Sequence, residues 1–270
     1  MQTTKYTQDF VVIDNLSLSP DFFCLRLFSK EILPPIYPGQ FAQVKINASA
    51  DTYLRIPISI HDVEDEHVIS LLIQKIGEGT RVLSEYHAGE KVNIIYPLGK
   101  GFRLPSYRGE GATKVNPIAE AKILLIGGGC GIAPLLYLAK ILHAQNNTPF
   151  MLMGGRTKSQ ILRVHEFIKY AKLDLSTEDG SMGEKGRITE HSLLQKETFT
   201  HIYTCGPIPM MQAVARYAQE HQIACQVSLE NTMACGIGAC LCCVTPTQNG
   251  HRCVCTEGPV FDYQDLKDFI

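Results

Sequence analysis

The sequence predicts a multidomain chain: an N-terminal antiparallel β-barrel, a central parallel α/β nucleotide-binding domain, and a small cysteine-rich C-terminal module. Three observations predict it. Short apolar or alternating stretches recur up to about residue 105. Strand and helix patterns then alternate. Finally, six of the ten cysteines fall between positions 235 and 255.

In the first segment the strand-like stretches are QDFVVIDN, FFCLRLFS, FAQVKINA, HVISLLIQ and KVNIIYP. Turn residues separate them, among them Pro34-Pro35, Pro38-Gly39, His61-Asp62 and Gly99-Lys100-Gly101. That spacing suits a small antiparallel barrel, which closes its own sheet edges, although periodicity does not by itself separate a barrel from a sandwich. Arg55-Ile-Pro-Ile-Ser59-Ile60 follows an apolar strand, and Gly77-Glu-Gly-Thr80 opens a helix with Thr80 available as a cap. An arginine at one strand end and a glycine-rich helix start suit one diphosphate, but equally suit a surface arginine and a plain capping turn.

Residues 105–120 carry Gly, Ser, Asn and Pro and read as a linker. Beyond it, AKILLIGG, FMLMGG and HIYTCGP read as buried strands, and APLLYLAKILHAQ and PMMQAVARYAQEH carry apolar residues at helical spacing. Such alternation favours a parallel sheet flanked by helices. Gly127, Gly128, Gly129 and Gly131 form a tight turn ahead of Pro134, where glycines let backbone N–H groups approach a pyrophosphate. The turn is not G-x-G-x-x-G, because Ile132 stands at the third glycine. Cys205, Gly206 and Pro207 end a later strand and reach the same carboxyl edge of the sheet, where open α/β folds bind ligands.

The cysteines set the remaining chemistry. Cys235, Cys240 and Cys243 have the C-x4-C-x2-C spacing of a plant-type 2Fe–2S site, whose fourth cysteine lies further on. Gly236, Gly238 and Ala239 permit a short loop to wrap a cluster and aim amides at its sulfurs. Thiolates are the soft donors such a cluster takes. The competing readings are a zinc knot, which usually pairs two C-x2-4-C hooks, and unligated core cysteines. Cys242 and Cys253 adjoin the candidate ligands, and spacing does not exclude them.

Composition excludes other classes. The chain has 270 residues, 45% hydrophobic and 19% charged, enough for about two ordinary cores. A formal charge of -2 gives no electrostatic reason for nucleic-acid or membrane-surface binding. The N-terminus lacks a signal-peptide pattern, and no apolar run approaches the ~20 residues of a membrane span, so a cytoplasmic protein is expected.

Taken in order, R-x-P-I-S, G-E-G-T, G-G-G-x-G-x-x-P and C-G-P resemble the ferredoxin reductase superfamily. The tail is more particular. Ser228-Leu-Glu230-Asn-Thr-Met233-Ala-Cys-Gly-Ile-Gly-Ala-Cys, closing in Val254-Cys255-Thr-Glu-Gly258-Pro259-Val260-Phe261, resembles the electron-transfer subunits of class 1B dihydroorotate dehydrogenases. Residues 177–186 are similar to that family too. The resemblance implies an FAD-binding barrel over 1–105, an NAD-binding domain over 106–224 and a 2Fe–2S module over 225–270. It implies that Pro57, Ile58, Ser59, Leu72, Ile73, Gln74, Gly79 and Thr80 line FAD, with Arg55 binding its diphosphate from a shifted position. Gly127, Gly128, Gly129, Gly131, Cys205, Gly206 and Pro207 would form the nicotinamide side. Cys235, Cys240, Cys243 and Cys255 would hold the cluster, Cys255 being preferred to Cys253 because it precedes the G-P-V-F tail. The family usually has arginine directly before P-I-S, where this chain has Ile56. Cys242 and Cys130 are further departures.

The implied partner is an FMN-containing catalytic subunit oxidising dihydroorotate to orotate, in a heterotetramer with two of each subunit. The chain itself offers no general acid, base or nucleophile. An alternative is the small subunit of an NADH-dependent ferredoxin:NADP oxidoreductase; a different class altogether is a non-catalytic zinc-binding interaction module.

Overall fold

The computed structural model describes residues 4–46, 53–105 and 117–270; most of the expected linker lies outside them. The chain divides into two compact units, one comprising 1–101, 229–260 and 265–267, the other 102–228, 261–264 and 268–270. The cysteine-rich segment therefore belongs to the same unit as the N-terminal strands.

Those strands close a six-stranded antiparallel barrel in the order β1-β2-β5-β4-β3-β6. They are β1 (Tyr6–Ser19), β2 (Phe22–Phe28), β3 (Phe41–Val44), β4 (Ile56–Val63), β5 (Val68–Gln74) and β6 (Lys91–Leu98). Alternation follows the pleat: on β6, Val92, Ile94 and Tyr96 are fully buried inside, while Asn93 and Ile95 face outward and are only half-buried. Phe10 meets Tyr96 edge to face at 5.1 Å, and each such buried side chain contributes about 1.5–3 kcal/mol.

Strand β4 corrects one expectation. His61-Asp62 reads as a turn, yet both residues lie within β4, whose first residue is Ile56. Asp62 pairs with Ser70 and Ile60 with Leu71, so His61 is the extra residue of a bulge. Thr80 also acts differently from a simple N-cap. It is the third residue of the helix Glu78–Ser84, and its Oγ1 reaches back to accept from the Ile76 and Gly77 N–H groups at 3.0 and 3.2 Å.

The second unit is built on parallel strands β7 (Ile123–Gly128), β8 (Phe150–Gly155), β9 (Lys172–Thr177), β10 (Glu184–Lys185), β11 (His201–Cys205) and β12 (Ala224–Ser228). Every residue of β7 is buried, as expected for a central parallel strand covered on both faces. The helices Leu135–Ala144 and Ile208–Glu220 follow β7 and β11, a 3-10 turn at Gly129–Ile132 preceding the first. Strands β9, β10 and β12 lack the apolar runs that mark β7 and β8, so no local pattern announces them. After a hairpin of β13 (Val244–Thr247) and β14 (Gly250–Cys253), β15 (Val260–Asp262) completes the sheet order β10-β9-β8-β7-β11-β12-β15.

Candidate cofactor and cluster sites

The cysteine loop is shaped by left-handed backbone. Gly236 and Gly238 have φ of 70° and 85°, and Leu241 has 58°. The first two are conformations that glycine adopts without steric cost. The loop turns its amides onto one sulfur: Cys235 Sγ accepts from the N–H groups of Ile237, Ala239 and Cys240 at 3.4, 3.3 and 3.4 Å. Burial pushes the Cys235 thiol up, but these donors outweigh it and bring its pKa down to about 6. Three amides stabilising a thiolate are what an electron-rich sulfur ligand requires.

The hairpin delivers a second pair of cysteines. Val244 pairs with Cys253, and the Val254 N–H donates to the Cys243 carbonyl at 3.1 Å, starting a short helical turn, Val254–Glu257. This puts the Cys255 N–H 3.4 Å from Cys243 Sγ, with the two residues 1% and 2% exposed. Burial and the neighbouring Cys243 push the Cys255 thiol up to about 12. The Cys253 N–H is held by Glu257 at 3.0 Å, and exposed Cys242 directs its thiol to the Thr232 carbonyl at 3.6 Å.

Among the described residues, no group of three or more His, Cys, Asp or Glu side chains is disposed to hold a single metal ion. A 2Fe–2S cluster has two irons with two protein ligands each, so its four cysteines need not meet at one point. Two cysteine pairs of soft donors, one fanned by amides, fit that group.

On the barrel, Ile56, Pro57, Ile58 and Ser59 are all half-buried at the start of β4. Arg55, Ile56 and Pro57 line a cavity of about 420 Å³ with Tyr53, Leu54, Thr232 and Met233. Leu72 and Ile73 are 2% and 1% exposed, so they reach a ligand only through their backbone, whereas Gln74 is half-buried. Gly79 and Thr80 lie in the first turn of the helix Glu78–Ser84, where N–H groups have no intrahelical acceptor.

Arg55 is engaged with the barrel itself. Its guanidinium donates to the carbonyls of Gln43 (3.3 Å) and Asn93 (3.0 Å) and to Asn93 Oδ1 (2.5 Å), and burial lowers its pKa. In the FAD-free protein, Arg55→Ala should therefore lower the thermal midpoint by an amount equivalent to about 1 kcal/mol. An unchanged apo-protein midpoint combined with weakened FAD binding would instead make it a diphosphate ligand.

In the second unit the two glycine motifs touch. Cys205 pairs with Gly127 across β11 and β7, so both loops leave the sheet side by side. A Cβ on Gly131 would lie 2.3 Å from the Cys205 carbonyl oxygen, and one on Gly128 would lie 2.6 Å from Met210 Sδ. Gly206 has φ of 148° and abuts the Gly128 backbone. Strand β8 lies on one side of β7 and β11 on the other, so this is the switch point where open α/β sheets bind ligands. Arg156 is exposed at the end of β8.

A closed antiparallel barrel and a parallel α/β sheet carrying these loops define a ferredoxin-reductase-like fold. Residues 125–216 match the oxidoreductase NAD-binding domain, and residues 230–267 match the iron–sulfur cluster binding domain of dihydroorotate dehydrogenase B. The dihydroorotate dehydrogenase B (NAD(+)) electron transfer subunit of Fusobacterium nucleatum is 32% identical, over 96% of this chain and 98% of its own. That of Clostridium acetobutylicum is 38% identical, over 95% of each. The solved structure of an NADH-dependent reduced ferredoxin–NADP oxidoreductase superposes with a TM-score of 0.82 and 26% identity, covering 96% of this chain and 89% of that one. The chain belongs to the family of dihydroorotate dehydrogenase B electron transfer subunits. It is thus an oxidoreductase subunit of the FAD, 2Fe–2S and NAD type, and it works with a catalytic partner subunit. Among the described residues no helix is long and apolar enough to cross a membrane.

Proposed function

We propose that the chain relays electrons from the FMN of a dihydroorotate-oxidising catalytic subunit to NAD+, through the cluster and FAD, in pyrimidine biosynthesis. When bound, the cluster supplies one-electron exchange and FAD joins it to the two-electron chemistry of nicotinamide. Cys235, Cys240, Cys243 and Cys255 hold the cluster. Pro57, Ile58, Ser59, Gln74, and the backbone of Leu72, Ile73, Gly79 and Thr80, line FAD. Gly127, Gly128, Gly129, Gly131, Cys205, Gly206 and Pro207 form the nicotinamide side. The cofactor-bearing segments are 1–105, 106–224 and 225–270, and the working assembly is a heterotetramer of two subunits of each kind.

The observation that carries this reading is the cysteine loop, which pairs a triply amide-stabilised Cys235 with a buried Cys243 and Cys255. Anaerobically purified protein should contain about one flavin, two irons and two sulfides per chain, and its visible absorption should bleach with NADH. A colourless, zinc-containing protein would overturn the proposal. The likeness to the ferredoxin–NADP oxidoreductase structure favours one second reading, a subunit serving a large iron–sulfur flavoprotein. Copurification distinguishes them: an FMN protein that oxidises dihydroorotate supports the first.

A further inference from the structure

Gln43 is the least explained polar residue of the barrel. It lies on β3 opposite Pro57 of β4 and Ile95 of β6. Its neighbours Ala42 and Val44 point into the barrel, Val44 pairing with the inward Ile94, so Gln43 faces outward. An outward residue of a small barrel normally meets water. Gln43 is instead 0% exposed, and neither Nε2 nor Oε1 has a hydrogen-bond partner among the described residues.

What covers it is the cysteine loop. A Cβ built on Gly236 would lie 2.5 Å from Gln43 Cγ and 2.7 Å from Nε2, so the amide is packed against the residue that follows Cys235. Pro57, whose side chain shares the outer face with Gln43, lines the cavity together with Thr232 and Met233. A buried amide without partners has given up its water hydrogen bonds and regained none. Leucine would fill a similar volume without that cost. The loop's own cargo supplies acceptors that suit an N–H donor, namely thiolate and sulfide sulfurs.

We propose that Gln43 donates an amide hydrogen bond from the barrel wall to a sulfur of the 2Fe–2S centre beside Cys235, and so raises the cluster's reduction potential. Gln43 is a positioning and tuning residue, not a ligand. A donor to sulfur stabilises the more negative, reduced cluster, which fixes the sign of the effect. The inference rests on the cluster assignment above.

The test uses the full chain loaded with FAD and cluster, with iron and sulfide counted first and the potential read by EPR-monitored titration. Gln43→Leu removes the donor; it should lower the potential, reducing the ratio of reduced to oxidised cluster about tenfold at a fixed poise. Gln43→Glu puts an anionic acceptor there and should lower it further. Equal midpoints and unchanged EPR spectra in both variants, with iron content intact, would overturn the proposal. So would a shift of the flavin midpoint alone, which would assign the amide to FAD. Absence of iron and sulfide from the parent chain would refute the cluster assignment itself, and the role of Gln43 with it.

Discussion

Replacing Cys255 with serine will strip the purified chain of its iron–sulfur absorption, whereas Cys253→Ser and Cys242→Ser will leave it in place. The hairpin register decides this. Cys253 is the last residue of β14, paired with Val244, and its backbone is tied to Glu257. Two residues further, Cys255 is 1% exposed with its N–H on Cys243 Sγ at 3.4 Å. Of the six cysteines between 235 and 255, Cys243 and Cys255 are the two that are buried. Structural metal sites gain on the order of 3 kcal/mol per ligand, so losing one thiolate should cut cluster affinity roughly a hundredfold. Iron and sulfide per chain, with the visible spectrum, measure it. A colourless Cys253→Ser protein beside a coloured Cys255→Ser protein would reassign the fourth ligand.

A feature is legible in the sequence when it is local. The cysteine spacing, the glycine turn and the fully apolar β7 and β8 are written within a few residues each, and the structure forms the loop and strands they describe. The barrel was recoverable because five of its strands alternate or run apolar. Strand β4 is hidden because His61-Asp62 has the local chemistry of a turn. Pairing with β5 across a bulge overrides it, and long-range pairing is invisible in a local pattern. Arg55 is the candidate diphosphate grip, and its hydrogen bonds to Asn93 are not legible locally because they depend on the pairing of β3 with β6. Gln43 carried no signal at all, since a polar residue on an outer barrel face looks ordinary until a segment nearly two hundred residues later buries it.

Gly131→Ala should disable the nicotinamide side while leaving the cofactors of the other unit in place. The added Cβ would sit 2.3 Å from the Cys205 carbonyl oxygen, 2.5 Å from its carbon and 2.5 Å from Gly206 Cα. These are backbone atoms, so no rotamer change relieves the overlap; the loops after β7 and β11 must separate. Overpacking of this kind costs about 3 kcal/mol, which for a domain of this size lowers a thermal midpoint by about 6–12 °C. Gly129→Ala is the control, because its Cβ meets nothing within 4 Å and only its φ of 55° is unfavourable, at about 1–2 kcal/mol. Flavin and iron content should match the parent in both proteins, since barrel and cysteine loop form a separate compact unit. Bleaching of the flavin by NADH should fall sharply in Gly131→Ala and far less in Gly129→Ala. If Gly131→Ala retains parental stability and NADH reduction, the close approach of the two loops is not what builds the nucleotide site. If it loses flavin or iron as well, the two units do not hold their cofactors independently.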